Sequence, residues 1–416
     1  MIVSNRKENE NIYICIETKI DAFMKYLDCN IGDLQKNGGV HTGKEICSQP
    51  DLWEKTFLKV IEEENQLLRF LEKAWENESP YIILTGAGTS AFIGEALVGA
   101  FQKETKAYCR AIATTDIITH PENYFIKSRP TLLISFARSG DSPESVAAVK
   151  LAKEHCDNLY EFSITCNKEG ALAKRTCDRN SYVFLLPEEA NDHSLAMTSS
   201  FSSMLLAGLL ILNIRKIEQM EPIIKKIRDM GKYILDECLH DLRRIAEIDC
   251  ERMVFLGSGP LFGIAHESHL KVQEMTDGKV ICKFDSFLGF RHGPKVVVNE
   301  STVVVYLFSN NVYAKRYELD LVRSVVATNA GEKSVAVGNG YDEKEFKFDL
   351  AIQFPDGTDD VPEDFLSVFY ILPAQIIGFY KSLSLGLSPD SPSKSNSISR
   401  VVQGVKIYGL VDSDIK

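Results

Sequence analysis

The sequence predicts an α/β protein of two tandem units, each a mostly parallel, doubly wound sheet flanked by helices, behind an N-terminal helical region. Three observations carry the prediction. From residue 81 onward, short β-rich runs alternate with amphipathic segments of helix length, the pattern of a parallel sheet covered on both faces. An apolar strand leading through G-x-G into a helix occurs twice, as "YIILTGAGTSAFIGEALVGA" (81–100) and "MVFLGSGPLFGIAHESHLKVQE" (253–274). Gly86 and Gly257 stand 171 residues apart, as do Gly88 and Gly259, which reads as one unit used twice. Finally, 416 residues are enough for two units with sizeable cores.

In chain order, residues 1–75 form the helical region. There "DLWEKTFLKVIEEENQLLRFLEKAWE" sets Leu52, Phe57, Val60, Leu67, Leu71 and Trp75 near helical spacing, with Glu and Lys between them. The first unit, 76–216, has strands at 81–88, 131–137, 159–165 and 182–187, and its apolar run "MLLAGLLILNI" (204–214) is too short to cross a bilayer and reads as a buried helix. The second unit, 217–390, opens with a polar helical stretch at 217–247. Strands follow at 253, 280–286, 302–309, 333–340 and 350–355, then a long apolar helix at about 363–387. The Ser/Pro-rich tail, 391–416, begins as a loop that stays mobile unless a surface holds it.

Composition narrows the function. Hydrophobic residues at 44% and charged ones at 25% match an ordinary globular protein. A net charge of -11 argues against a nucleic-acid partner but not against a small anionic ligand. The N-terminus lacks a signal-peptide core and nothing later approaches a spanning helix, so no membrane partner and a cytoplasmic location are expected. The ten cysteines form no C-x-x-C pair, and reduced thiols without a zinc site are expected.

Four stretches could carry chemistry. "GAGTSAFIGEA" has Ala91 where a dinucleotide fingerprint wants its third Gly, so a nicotinamide cofactor is not expected. It can be a tight turn capped by Thr89 or Ser90. "SFARSGDSPES" delivers Arg138, Ser139, Gly140 and Ser142 to the carboxyl edge of a sheet, where Ser142 is a natural N-cap, Pro143 takes N1 and Ser145 takes N3. From chemistry alone this is either a helix cap or a phosphate cradle. In "NDHSLAMTSSFSSM", Thr198, Ser199 and Ser200 precede a buried helix and can cap it, and Asp192 and His193 can form a polar pair upstream.

The fourth stretch, "GIAHESHLKVQEMTDGKV" followed by "FLGFRHGPKVVV", places Glu267, Lys271 and Glu274 at i, i+4 and i+7 on one helical face. Such a stripe can be a solvated salt-bridge row or, partly buried, a proton-shuttling base held by an ammonium. His292, in "RHGP", can act as an acid or base or simply be exposed. His266 and His269 lack a third ligand, so no metal is expected.

The order of these motifs resembles the sugar isomerase (SIS) domain proteins, closest to the AgaS family of tagatose-6-phosphate ketose/aldose isomerases and galactosamine-6-phosphate deaminases. "VHTGKEICSQPDLW" and the tail "SPDSPSKSNSISRVVQGVKIY" extend the likeness over nearly the whole chain beyond residue 38. The resemblance implies two tandem SIS domains. Set beside the isomerase half of glucosamine-6-phosphate synthase, the phosphate loop falls on residues 137–142, with Ala137 in place of a Ser and Arg138 in place of a Gln. Ser90, Ser139 and Ser142, flanked by Thr89 and Arg138, are then the expected phosphate ligands, and "AMTSSF" adds Thr198 and Ser199 to the substrate-binding set. The same comparison implies Glu274 as the base moving a proton between C1 and C2, with Lys271 and Glu267 beside it, and His292 supplied to a neighbouring subunit.

The synthase's C-terminal Lys falls near Ser397, with Lys394 and Arg400 close by. The implied activity is conversion of galactosamine 6-phosphate to tagatose 6-phosphate with release of ammonia through an enolamine. The alternatives are a simple hexose 6-phosphate isomerase and a non-catalytic sugar-phosphate-binding regulator. The second wants a DNA-binding helix pair, whereas the first 75 residues are Glu-rich and lack a basic recognition helix. A glutamine-using synthase is not expected, because no amidotransferase domain precedes the first repeat. No cofactor is expected, and a homodimer or higher homo-oligomer is.

Overall fold

The computed structural model describes residues 25–409 except 77, 175–178, 356, 359, 396 and 403. The start of the helical region, the end of the tail, Cys15 and Cys177 therefore lie outside the described residues. Each repeat supplies one five-stranded parallel sheet. The first is β1 (Tyr81–Thr85), β2 (Cys109–Ala111), β3 (Thr131–Ala137), β4 (Leu159–Thr165) and β5 (Ser181–Leu185), in the order β2-β1-β3-β4-β5. The second is β6 (Arg252–Leu256), β7 (Ile281–Asp285), β8 (Thr302–Leu307), β9 (Lys333–Val337) and β10 (Leu350–Ile352), in the order β7-β6-β8-β9-β10. The two orders are the same. β3 is buried at every position, as a parallel strand covered on both faces must be, which explains its unbroken apolar run.

The sequence reading has no strand at β2. It is a three-residue edge strand, held to β1 through Ile82 and Cys109, and too short to show a period.

The helices that matter below are α1 (Ile31–Asn37), α2 (Val40–Glu62), α3 (Glu64–Ala74), α4 (Thr89–Thr105), α5 (Pro143–His155), α6 (Ser199–Leu212), α7 (Glu221–Glu237), α8 (Leu239–Ala246), α9 (Pro260–Met275), α10 (Phe287–Phe290), α11 (Val312–Val326), α12 (Glu363–Tyr370) and α13 (Leu372–Ser384). α2 is no loose extension. Trp53 is fully buried and its indole N–H donates to Ser202 Oγ at 2.9 Å. Ser202 donates in turn to Gln49 Oε1 at 2.7 Å, and Gln49 Nε2 donates to Gln375 at 2.6 Å. That chain of satisfied polar groups ties α2, α6 and α13 across one continuous core.

The run 363–384 corrects the expectation that nothing resembles a membrane span, because it has the length and apolarity of one. It is packed inside the protein, 94% of the window being buried, and breaks at Ile371 before Pro373.

Both G-x-G turns feed their helices through a left-handed glycine of matching geometry, Gly88 at φ 54°, ψ −128° and Gly259 at φ 56°, ψ −128°. The two helices they start, α4 and α9, then cross in opposite directions. The crossing is close at Gly263, where a Cβ would lie 2.5 Å from the Ala96 nitrogen. Gly263→Ala is therefore expected to destabilise the protein by about 1–3 kcal/mol, read as a lower urea midpoint. An unchanged midpoint would show that the helices have room to spare.

Candidate active site

In a sheet ordered 2-1-3-4-5, ligands bind at the carboxyl ends of the strands where the chain reverses direction, here between β1 and β3. A cleft of about 730 Å³ opens there. Gly88, Thr89 and Ser90 form one wall, Arg138, Ser139, Ser142 and Ser145 a second, and Leu270, Lys271 and Glu274 of α9 a third. Seven of the residues singled out from sequence thus meet: Thr89, Ser90, Arg138, Ser139, Ser142, Lys271 and Glu274. An apolar hollow of about 320 Å³ between α3 and the end of α4 is elsewhere, and none of these residues lines it.

Two local expectations about caps need correction. Gly88, rather than Thr89 or Ser90, occupies the N-cap of α4. Ser142 does stand at the N-cap of α5 with Pro143 after it, but its hydroxyl makes no capping bond. The first backbone N–H groups of α5 are thus left uncapped by that side chain, and they carry the partial positive charge that suits a phosphate. The loop before them is fixed by its own bonds. Ser139 Oγ accepts from the Asp141 N–H at 3.2 Å, Asn167 Nδ2 donates to the Ser139 carbonyl at 2.9 Å, and Asp141 accepts from the Ala171 N–H at 2.9 Å.

Facing this cradle is a buried ion cluster. Lys271 Nζ lies 2.7 Å from Glu274 Oε2 and 3.3 Å from Glu267 Oε1, and donates to Thr89 Oγ1 at 3.1 Å. Glu267 and Lys271 are sealed from solvent, while the Glu274 side chain keeps 23% of its surface exposed. Burial pushes Glu267 up to about 8 against the pull of Lys271, and its Oε2 has no hydrogen-bond partner. Burial opposes the Lys271 ammonium, but the two carboxylates outweigh it and hold its pKa above the ordinary value. The cluster therefore presents the Glu274 carboxyl group to the cleft, a fixed cation behind it and, at the base, a buried acid that holds its proton more tightly than an exposed one would.

The remaining candidates lie elsewhere. Thr198 and Ser199 are fully buried, and their hydroxyls and N–H groups all donate to the Asp192 carboxylate, which also takes both donors of Ser200. They cap α6 through an acid six residues upstream and do not reach the cleft, so the structure does not bring them into the substrate-binding set. His193 turns away from Asp192 and packs beside His41, their rings 5.5 Å apart.

Arg138 lines the cleft, but both terminal nitrogens are engaged by backbone carbonyls, those of Ser194, Leu195 and Arg400. His292 sits in the exposed turn after α10, away from the cleft of its own chain. His266 is stacked between Phe92 and Phe284, at 3.5 and 3.7 Å, with its Nδ1 2.8 Å from Glu95. Burial draws the pKa of the neighbouring His269 down to about 4. Among the described residues, no three His, Cys, Asp or Glu side chains gather as metal ligands.

Sequence reasoning missed Thr115, which follows the unread strand β2, as well as Met197, whose sulfur lies 3.9 Å from Ser90 Oγ. It also missed that Ile398, Ser399 and Val402 of the tail cover the cleft beside Ser397 and Arg400.

Comparison with known proteins places the chain in a family. The SIS domain family model matches residues 77–214. A D-galactosamine-6-phosphate deaminase, AgaS, of Shewanella sp. is 40% identical over 91% of this chain and 94% of that protein. The chain belongs to the AgaS family. A solved chain from Clostridium novyi NT superposes with a TM-score of 0.89 at 40% identity, over 93% of this chain and 100% of that one. A second solved structure, the tagatose-6-phosphate ketose/aldose isomerase from Escherichia coli, gives 0.81 at 33% identity over 89% of this chain and 97% of that one.

The raised pKa of Glu267 has a measurable consequence. Between about 4.5 and 8 the native protein binds a proton at Glu267 that the unfolded chain has lost, so stability falls as pH rises through that window. Glu267→Gln is expected to flatten the urea stability curve between pH 5 and 8. Equal slopes in the two proteins would mean that Glu267 is ionised in the fold.

Proposed function

We propose that this AgaS-family protein converts galactosamine 6-phosphate to tagatose 6-phosphate and ammonia. One observation carries the reading: a half-open carboxylate backed by a buried ammonium faces an uncapped helix N-terminus ringed by serines across a single cleft. The 6-phosphate docks on the N–H groups of α5 with the Ser90, Ser139 and Ser142 hydroxyls, which fixes C1 and C2 toward α9. Glu274 takes the C2 proton of the open-chain sugar, and Lys271 steadies the charge that develops on the C1 oxygen. The proton returns at C1, giving the ketimine, and water splits it into ketose phosphate and ammonia.

The name of the E. coli structure supports a second reading, simple isomerisation, in which the same proton transfer acts on a sugar with a hydroxyl at C2. Ring opening is assigned to His292 of a second copy in a homodimer or higher assembly. What supports that assembly is the exposed turn carrying His292 and the apolar side chains flanking it, Leu288 and Val296, the latter 88% exposed. A cytoplasmic site of action is part of the proposal, in keeping with eight described cysteines that are all unpaired.

Purified protein given galactosamine 6-phosphate, glucosamine 6-phosphate and tagatose 6-phosphate in turn, with ammonia and ketose measured, tests the proposal. Ammonia from the first alone is expected; conversion of tagatose 6-phosphate to an aldose phosphate, with no ammonia from either amino sugar, would favour the isomerase. Glu274→Gln is expected to lower kcat by about 10²–10⁴-fold while sugar-phosphate binding survives, and unaltered turnover would remove Glu274 as the base.

A further inference from the structure

The cleft is roofed by a stretch of the chain that belongs to neither sheet. Residues 397–402 run over it, with Ser397, Ile398, Ser399, Arg400 and Val402 in its lining. What holds this strap is specific. Arg138, 6% exposed, donates through Nη1 to the carbonyls of Ser194 and Leu195, both at 3.1 Å, and through Nη2 to the carbonyl of Arg400 at 2.7 Å. Arg400 returns the contact, its Nε and Nη2 donating to the Asp192 carbonyl at 2.9 and 2.6 Å and Nη2 to Asn191 Oδ1 at 2.8 Å.

The segment between them is a fixed platform. Asp192 caps α6, and Glu45 of α2 accepts the N–H groups of His193 at 2.6 Å and Ser194 at 3.2 Å. Upstream, the strap is pinned by Asp390, whose carboxylate takes the Thr42 N–H and hydroxyl at 2.7 Å while its carbonyl takes the Leu195 N–H at 3.0 Å.

We propose that Arg138 is a positioning residue that, paired with Arg400, latches the strap 397–402 onto the 191–195 platform, so that Ser397, Ile398 and Ser399 close the space around the sugar. The proposal rests on the sugar-phosphate reading of the cleft. The planar guanidinium suits the task, because three carbonyls around one fork match its donor geometry and a lysine could not reach all three. The loop that cradles the phosphate and the strap that covers the sugar are thereby joined through one side chain. An Arg that was itself the phosphate ligand would leave its terminal nitrogens for the anion; here carbonyls engage them.

The test compares Arg138→Met, Arg138→Lys, Arg400→Met and the double Met variant in the full-length protein. Three readouts are taken: hydrogen exchange of residues 397–402 without ligand, affinity for inorganic phosphate, and KM and kcat with galactosamine 6-phosphate. The latch predicts that Arg138→Met and Arg400→Met each lower strap protection and raise KM about tenfold or more, and that Arg138→Lys restores neither. It further predicts that the double variant is no worse than either single one and that phosphate affinity changes by less than about threefold. Arg400→Met alters only the strap side of the contact, so it reads the latch even if Arg138→Met fails to fold.

Phosphate affinity lost in Arg138→Met with strap protection intact would overturn the proposal, and so would additive losses in the double variant. Strap protection is read without any sugar. Loss of protection in the variants beside a wild type that does not act on galactosamine 6-phosphate would therefore reject the substrate and leave the latch standing.

Discussion

The site depends on the close crossing of α4 and α9. Each repeat on its own supplies half of what the proposed chemistry needs, the first a phosphate-sized cradle and the second a carboxylate backed by an ammonium. They meet because Gly263 lets α9 rest on the backbone of α4, which brings Lys271 and Glu267 up to Thr89 at the first turn of the opposite helix. On the proposed mechanism, packing and catalysis share that contact. In the proposed reaction a duplicated fold thereby keeps its binding half apart from its reacting half.

The repeats are alike in path and unlike in use. The second turn, through Gly259, has the same backbone shape as the first, yet the neighbouring edge is filled from within. The Ser309 N–H donates to Glu318 at 3.0 Å and its hydroxyl donates to Glu363, so carboxylates of the chain lie where the first repeat offers an open cradle. Burial pushes Glu318 up to about 7, as expected of an acid placed there for packing. The ion cluster on α9 is the opposite case. A buried Lys between two acids contributes little to stability for the desolvation it costs, and removing one partner leaves an uncompensated charge. Its placement at the cleft wall is what makes it useful.

Much of this was legible in the chain. The 171-residue echo of the G-x-G turns revealed two units, and the i, i+4, i+7 spacing of Glu267, Lys271 and Glu274 put them on one face, because both patterns are periodic and local. What escaped is what depends on distant partners. Asp192 captures the hydroxyls of Thr198 and Ser199, Arg138 finds carbonyls from residues 194, 195 and 400, and α2 belongs to the core rather than to an appendage. β2 escaped for the other reason, since three residues carry no period. His292 lies in the exposed turn that its Gly- and Pro-bounded context implies, outside the lining of its own cleft, in keeping with the resemblance that has a neighbouring subunit receive it.

On the proposed mechanism, one bound sugar phosphate spans from the first repeat's helix N-terminus to the second repeat's carboxylate. A crystal structure of Glu274→Gln with galactosamine 6-phosphate measures it directly. The phosphate is expected on the N–H groups at the start of α5, with Ser90, Ser139 and Ser142 around it, and C2 about 3–3.5 Å from the side chain of residue 274. A phosphate bound elsewhere, or C2 turned away from α9, would contradict it.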